Sequence, residues 1–250
     1  MASERDKTID KTTPAPSGPR QEPAAASPRA EIDAFIKRAR TLAPSVEPGK
    51  RGRLIFALDA TMSRQPTWDT ACKLQSEMFR EAAAIGGLDV QLVYFRGLNE
   101  CRSSRWVSDG AGLGDLMARI DCRGGHTQIG KVLSHARAEG DKGKVAALVY
   151  VGDAMEEAID DLAAKAGELG LRGMPAFVFQ EGHDPVAEQA FREIARLTRG
   201  AYCRFDLSAA HELAELLRAA AVYAAGGVKA LADLSARRSA GAQKLLAQMR

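Results

Sequence analysis

The sequence predicts an α/β domain: a doubly wound, mostly parallel sheet with helices on both faces. Three observations predict it. Short apolar runs of strand length recur along the chain, at Leu54–Leu58, Leu88–Phe95, Val145–Val151 and Ala176–Phe179. Stretches with apolar residues at helical spacing lie between them, and strands alternating with helices of this length imply parallel pairing. Two of the runs stop on a carboxylate, Asp59 and Asp153, where an open α/β sheet presents its ligands.

Taken in order, residues 1–28 are rich in Pro, Ala, Ser and charge. Such a segment buries too little apolar surface to offset its ordering entropy, so a disordered tail is expected. Residues 29–50 read as a short amphipathic helix and connector. Ile32, Phe35, Ile36, Ala39 and Leu42 follow helical spacing, and Pro44 and Pro48 end it. Residues 51–225 form the expected α/β domain. Within it, LIFAL (54–58) is a strand buried on both faces. Trp68–Ile85 is a helix closed by Gly86-Gly87, with Leu74, Met78 and Phe79 toward the core. Leu88–Phe95 is a strand, and Arg102–Val107 a short third one, at an edge or antiparallel. Helices follow at 113–120 and 129–138, then the VAALVYV strand (145–151), a helix at 156–169, a strand at 176–179, and a helix at 185–198 with Pro185 in its first turn. Tyr202–Phe205 is the last short strand, and Ser208 can cap the helix after it. Gly226-Gly227 breaks that helix, and residues 226–250 read as a C-terminal helical segment.

The bulk composition excludes several function classes. Thirty-five basic against 32 acidic residues give a net charge of +3, too small to draw the chain to nucleic acid or an anionic membrane. No run approaches the ~18 apolar residues of a bilayer span. The opening MASERDKTIDKTTPAPSGPR lacks an apolar h-region, so no secretory signal is expected there. Cys72, Cys101, Cys122 and Cys203 form no C-x-x-C pair, which points to free thiols in a reducing, cytoplasmic setting.

The chemistry lies at the strand ends. Asp59 opens the string Asp59-Ala60-Thr61-Met62-Ser63. Asp153 closes a later strand, and Gly124-Gly125-His126-Thr127 lies between them at a helix start. Together they supply two carboxylates and three hydroxyls, all hard oxygen donors of the kind Mg²⁺ prefers, with Mn²⁺ or Ca²⁺ as alternatives. Alternate positions in a tight D-x-T-x-S loop let several side chains face one centre. Hydroxyl donors leave net positive charge on the ion, so an incoming carboxylate can complete its shell.

In this order, D-x-[ST]-x-S, a Thr after a Gly pair, and an Asp ending a later buried strand, the residues resemble the metal-ion-dependent adhesion site of the von Willebrand A family. The likeness runs from about Leu54 to Ala225. It implies a Rossmann-like sheet and a metal held by Asp59, Thr61, Ser63, Thr127 and Asp153, the hydroxyls directly and the aspartates directly or through water. Thr61 stands where Ser is usual, and Gly152-Asp153-Ala154 where Thr-Asp-Gly is frequent; both changes keep the donor. The resemblance further implies a non-enzymatic module that binds an Asp or Glu of a partner protein. In this Ala- and Arg-rich, bacterial-looking chain it could serve an ATPase-coupled chaperone, a metal-insertion assembly or a stress response. Arg64, His126 and Met155 are the expected rim.

Other readings are open at this stage. Asp59 at the end of a first strand also suits a haloacid-dehalogenase-type phosphatase, but the acid/base Asp needed two residues on is Thr61. A metal-independent scaffold with a degenerate site is the third reading. Glu156 and Glu157 read as acids in a first helical turn. Gly110, Gly112 and Gly114 read as a flexible loop. His183 and His211 have no partner motif. No G-x-S-x-G elbow or Walker A loop is present.

Overall fold

A computed structural model describes residues 51–83, 86–206 and 210–249; the expected tail, the helix and connector at 29–50, Ile85 and the Ser208 cap lie outside them. The side chains of Arg64, Leu74 and Phe79 are likewise outside the description.

Among the described residues six strands form one sheet: β1 (Gly52–Asp59), β2 (Leu88–Arg96), β3 (Glu100–Val107), β4 (Ala147–Gly152), β5 (Ala176–Glu181) and β6 (Ala201–Phe205). Their spatial order is β3-β2-β1-β4-β5-β6. The β1–β2, β1–β4, β4–β5 and β5–β6 pairs are parallel, and β3 joins antiparallel at the edge. The helices are α1 (Gln65–Ala83), α2 (Gly110–Met117), α3 (Ile129–Lys142), α4 (Ile159–Leu171), α5 (Pro185–Thr198), α6 (Ala210–Ala236) and α7 (Ala240–Gln248).

The strands alternate between two cores, as a period of two requires. Leu54, Phe56, Leu58, Val149, Val151, Phe177 and Phe179 pack with α1, α2, α6 and α7. Ile55, Ala57, Leu148, Tyr150, Ala176 and Val178 pack with α3, α4 and α5. Met78 of α1 belongs to the first core. Each large side chain fully buried here contributes about 1.5–3 kcal/mol of transfer free energy. β1 and β4 are central neighbours, and the connections from their carboxyl ends lead to β2 on one side and β5 on the other, which opens a crevice at the switch point. That crevice positions the site.

Beyond shifts at other ends, such as the 129–138 helix running on to Lys142 and the 113–120 helix stopping at Met117, four features differ from the sequence reading. The 156–169 helix begins only at Ile159, because Glu156 and Glu157 remain in an extended loop and bond elsewhere. The glycine string from Gly110 is helical, not a loop. Asp109 caps it by accepting the Gly112 amide at 2.7 Å, which offsets part of the glycine entropy cost. Helix α1 starts three residues early, at Gln65, continuing a 3₁₀ turn at Met62–Arg64. The C-terminal segment is also not one helix. Gly227 takes φ 69° and ψ −163° within α6, as the glycine pair suggested. A second break follows, where Arg238 adopts φ 67° and Ser239 caps α7.

That second break returns α7 to the sheet. Ala242 and Leu245 enter the first core. Gln248 lies along the outer edge of β6: its Nε2 donates to the Tyr202 carbonyl at 2.8 Å, and its Oε1 accepts the Tyr202 amide at 2.9 Å. Cys72, Cys101, Cys122 and Cys203 form no disulfide. No helix among the described residues is long and apolar enough to cross a membrane.

Candidate metal centre

Beyond β1 the chain turns tightly. The Asp59 carboxylate, 3% exposed, accepts the Thr61 amide at 2.8 Å, an Asx-type turn that folds the string back on itself. Ala60 is fixed on both sides, its N–H donating to Phe95 O (2.9 Å) and its carbonyl accepting from Arg123 N (3.0 Å). The oxygens then run in series. Thr61 Oγ1 and Ser63 Oγ are 3.3 Å apart, and Ser63 Oγ donates to Asp153 Oδ2 at 3.1 Å. A serine hydroxyl has one proton, so with that proton on Asp153 the Thr61 hydroxyl donates to Ser63. Asp59, Thr61, Ser63 and Asp153 are thereby brought together at the switch point. Thr61 is buried, Asp153 half-buried and Ser63 exposed.

Thr127 arrives differently. It lies in the 121–128 loop, two residues before α3, and is 7% exposed. Its bonds run to the loop that Asp153 begins: its N–H donates to Glu156 Oε2 and its Oγ1 accepts from Glu156 N, both at 3.1 Å. His126 Nδ1 meets the same Glu156 oxygen at 2.9 Å. The Thr127 amide, and then His126, hold the Glu156 carboxyl below its ordinary range. Glu157 takes the next two donors, the amides of Ile129 and Gly130. Gln128, at the N-cap of α3, makes no side-chain cap bond. Glu157 therefore caps α3 from 28 residues away, satisfying amides that a helix start leaves open. Burial pushes the Glu157 carboxyl above its ordinary range, against the lowering by those amides.

The 121–128 loop is also fastened to the β2–β3 hairpin. His126 N donates to Gly97 O (3.2 Å), and Gln128 Nε2 reaches the carbonyls of Arg96, Gly97 and Glu100 at 3.3–3.4 Å. A Cβ on Gly125 would lie 2.1 Å from Gly97 O, so only glycine permits this approach. Of the expected rim, His126 is exposed, whereas Met155 is 9% exposed and packs into the second core.

The roles of Glu156, Glu157 and Gln128 were not apparent from the sequence. The closeness of two acids to Asp153 was the available signal, and their target, the start of a helix distant in sequence, was not.

The donor chemistry fits a hard divalent cation. The oxygens of Thr61, Ser63 and Asp153 already lie within hydrogen-bond reach in series, with the Asp59 carboxylate on the Thr61 amide beside them, and such oxygens suit Mg²⁺, Mn²⁺ or Ca²⁺. Among the described residues no group of three or more His, Cys, Asp or Glu is placed to hold a metal. A cation here would therefore depend on the hydroxyls.

No protein-family model and no curated protein sequence matches the chain. Solved structures do. A von Willebrand factor type A protein from Catenulispora acidiphila aligns with TM-score 0.57 and 16% identity, over 70% of this chain and 43% of that one. The SpRpn10 VWA domain aligns with TM-score 0.52 and 12% identity, over 66% of this chain and 95% of that one. The fold is that of a von Willebrand A (VWA) domain. A third VWA-like neighbour, proximal thread matrix protein 1 of the mussel byssus, aligns with TM-score 0.58 and 13% identity over 77% of this chain and 52% of its own, and has a zinc-occupied MIDAS motif. The chain spans less than half of the Catenulispora protein. At these identities the likeness establishes the VWA fold, while the site rests on the residues above.

Proposed function

We propose that this VWA domain is a non-enzymatic protein-interaction module that recognises an Asp or Glu of a partner through a divalent cation. The supporting observation is the hydroxyl–carboxylate series Thr61–Ser63–Asp153 at the switch point, with the Asp59 carboxylate on the Thr61 amide. Asp59, Thr61, Ser63, Asp153 and Thr127 would hold the ion. When bound, it supplies a positive charge of high field strength for a carboxylate. The protein's own groups do the rest. The Asx turn fixes the spacing of Thr61 and Ser63, and Glu156 orients Thr127 through both its amide and its hydroxyl. With three hydroxyls among five donors, much of the ion's charge is left for the partner. Nothing in this set is an activated nucleophile with its base, which favours recognition over catalysis.

The test is calorimetric titration of the full chain with Mg²⁺ and Mn²⁺, alongside Asp59→Ala and Thr127→Ala. One bound ion in the wild type, lost in Asp59→Ala and weakened in Thr127→Ala, is the expected result. Equal binding by wild type and Asp59→Ala would refute the proposed site, and no binding by the wild type would favour a metal-independent scaffold.

A further inference from the structure

Four large apolar side chains stand exposed among the described residues: Met62 (62%), Leu98 (78%), Leu171 (90%) and Val186 (56%). Two of them border the candidate site. Met62 lies between the hydroxyl residues Thr61 and Ser63. Leu98 is at the tip of the β2–β3 hairpin that holds the Thr127 loop, flanked by Gly97, which accepts from His126 N, and Asn99, which accepts from Lys131 Nζ.

Single exposed apolar residues are ordinary on protein surfaces, but this placement is not scattered. The tip is pinned from both sides, so Leu98 is held out on a rigid support. A hairpin tip is a position where polar turn residues serve the fold equally well. The charged groups around it are paired. Arg96 pairs with Glu100 and Asp121, Arg123 with Asp121, Arg102 with Glu100, and His126 with Glu156. Three arginines thus share two acids, Glu100 and Asp121, and Arg102 and Arg123 remain more than half exposed, so an incoming carboxylate meets a net positive rim. The surface complements a chain that carries one negative charge and an apolar neighbour.

We infer that Leu98 and Met62 are specificity-determining residues, selecting a partner polypeptide in which the bound Asp or Glu is flanked by a large apolar side chain. This rests on the carboxylate-recognition reading above and adds the identity of the flanking residue. Desolvating one Leu-sized side chain corresponds to roughly tenfold or more in affinity.

The experiment pans a phage library of short peptides, with a fixed central Asp and randomised flanks, on the full chain with Mg²⁺, with EDTA, and on Leu98→Ser. Calorimetry of Leu98→Ser with Mg²⁺ controls for the site itself. The expected result is Mg²⁺-dependent enrichment of Leu, Ile, Phe or Met beside the Asp. Leu98→Ser should lose that preference and bind the enriched peptides about tenfold more weakly, with its Mg²⁺ affinity unchanged. Mg²⁺-dependent recovery with no apolar preference, or a preference that survives Leu98→Ser, overturns the inference and leaves carboxylate recognition standing. Recovery insensitive to EDTA, or none, overturns both. A Mg²⁺-dependent dimer in light scattering that Leu98→Ser abolishes would overturn the partner assignment and give the patch to a second copy of the chain.

Discussion

The loops that follow β1 and β4 leave the sheet side by side at one switch point, yet they are built for different work. The β1 loop is short and folded on itself: the Asp59 carboxylate accepts the Thr61 amide, and the Thr61 hydroxyl meets that of Ser63. The β4 loop is extended. It places one carboxylate, Asp153, against Ser63 and directs the next two, Glu156 and Glu157, across to the start of α3. One loop gathers donors; the other braces the segment that carries Thr127. An acid near a ligand site is therefore assigned by the donors it engages, not by its proximity.

The contrast can be broken by substitution. The largest effect is expected in the β1 loop: Asp59→Ala should lower divalent-ion affinity by on the order of a hundredfold or more, exceeding the ~10–100-fold typical of an outer-shell loss. Its unfolding midpoint should move less than that of the β4-loop variant Glu157→Ala. That variant leaves the Ile129 and Gly130 amides without their acceptor and should cost about 1–3 kcal/mol for each amide that stays dry, measured by urea denaturation. Its ion affinity should fall less than that of Asp59→Ala. If Glu157→Ala abolishes ion binding while leaving stability intact, the division between the loops is wrong.

A smaller loss, about 1–3 kcal/mol of overpacking, is expected for Gly125→Ala, where the new methyl meets Gly97 O. Amide exchange should quicken across the hairpin tip and the Thr127 loop together. Unchanged exchange at Gly97–Asn99 would show that the two are not coupled.

The smallest effects are in pH dependence, and they have opposite signs in adjacent residues. Glu156 titrates lower in the folded chain than its ordinary 4.5. Its contribution to stability is present above that value and is lost as pH falls through the folded pKa. Glu157 titrates above 4.5 in the folded chain. The folded state holds its proton more tightly, so stability declines as pH rises from 4.5 through the folded value. Denaturation from about pH 3 to about pH 7 should show Glu156→Gln and Glu157→Gln differing from the wild type with slopes of opposite sign. Slopes of the same sign would refute the assignment.

Much of this was legible in the sequence, for physical reasons that can be named. Strands buried on both faces read as unbroken apolar runs, so the ends of β1 and β4, and with them Asp59 and Asp153, were visible directly. The antiparallel edge strand showed in its mixed polarity. Glu156 and Glu157 misled because acids before a helix commonly serve that helix, whereas these serve α3, and pairing across the crevice has no periodicity. Gly110–Gly114 misled because the Asp109 cap outweighs glycine's weak propensity. The break before α7 was hidden because Arg238, not a glycine, takes the left-handed conformation there.

The turn at Arg238 has a consequence well away from the site. By bringing Gln248 back to Tyr202, it lets one side-chain amide stand in for a neighbouring strand, donating and accepting where a seventh strand would. An open sheet edge is a template for further chains, and here part of it is closed by a single residue. Blocking strand addition at this point of the edge thus falls to a glutamine at the end of a helix. Concentration-dependent light scattering of Gln248→Ala against the wild type would reveal how much self-association that one amide holds back.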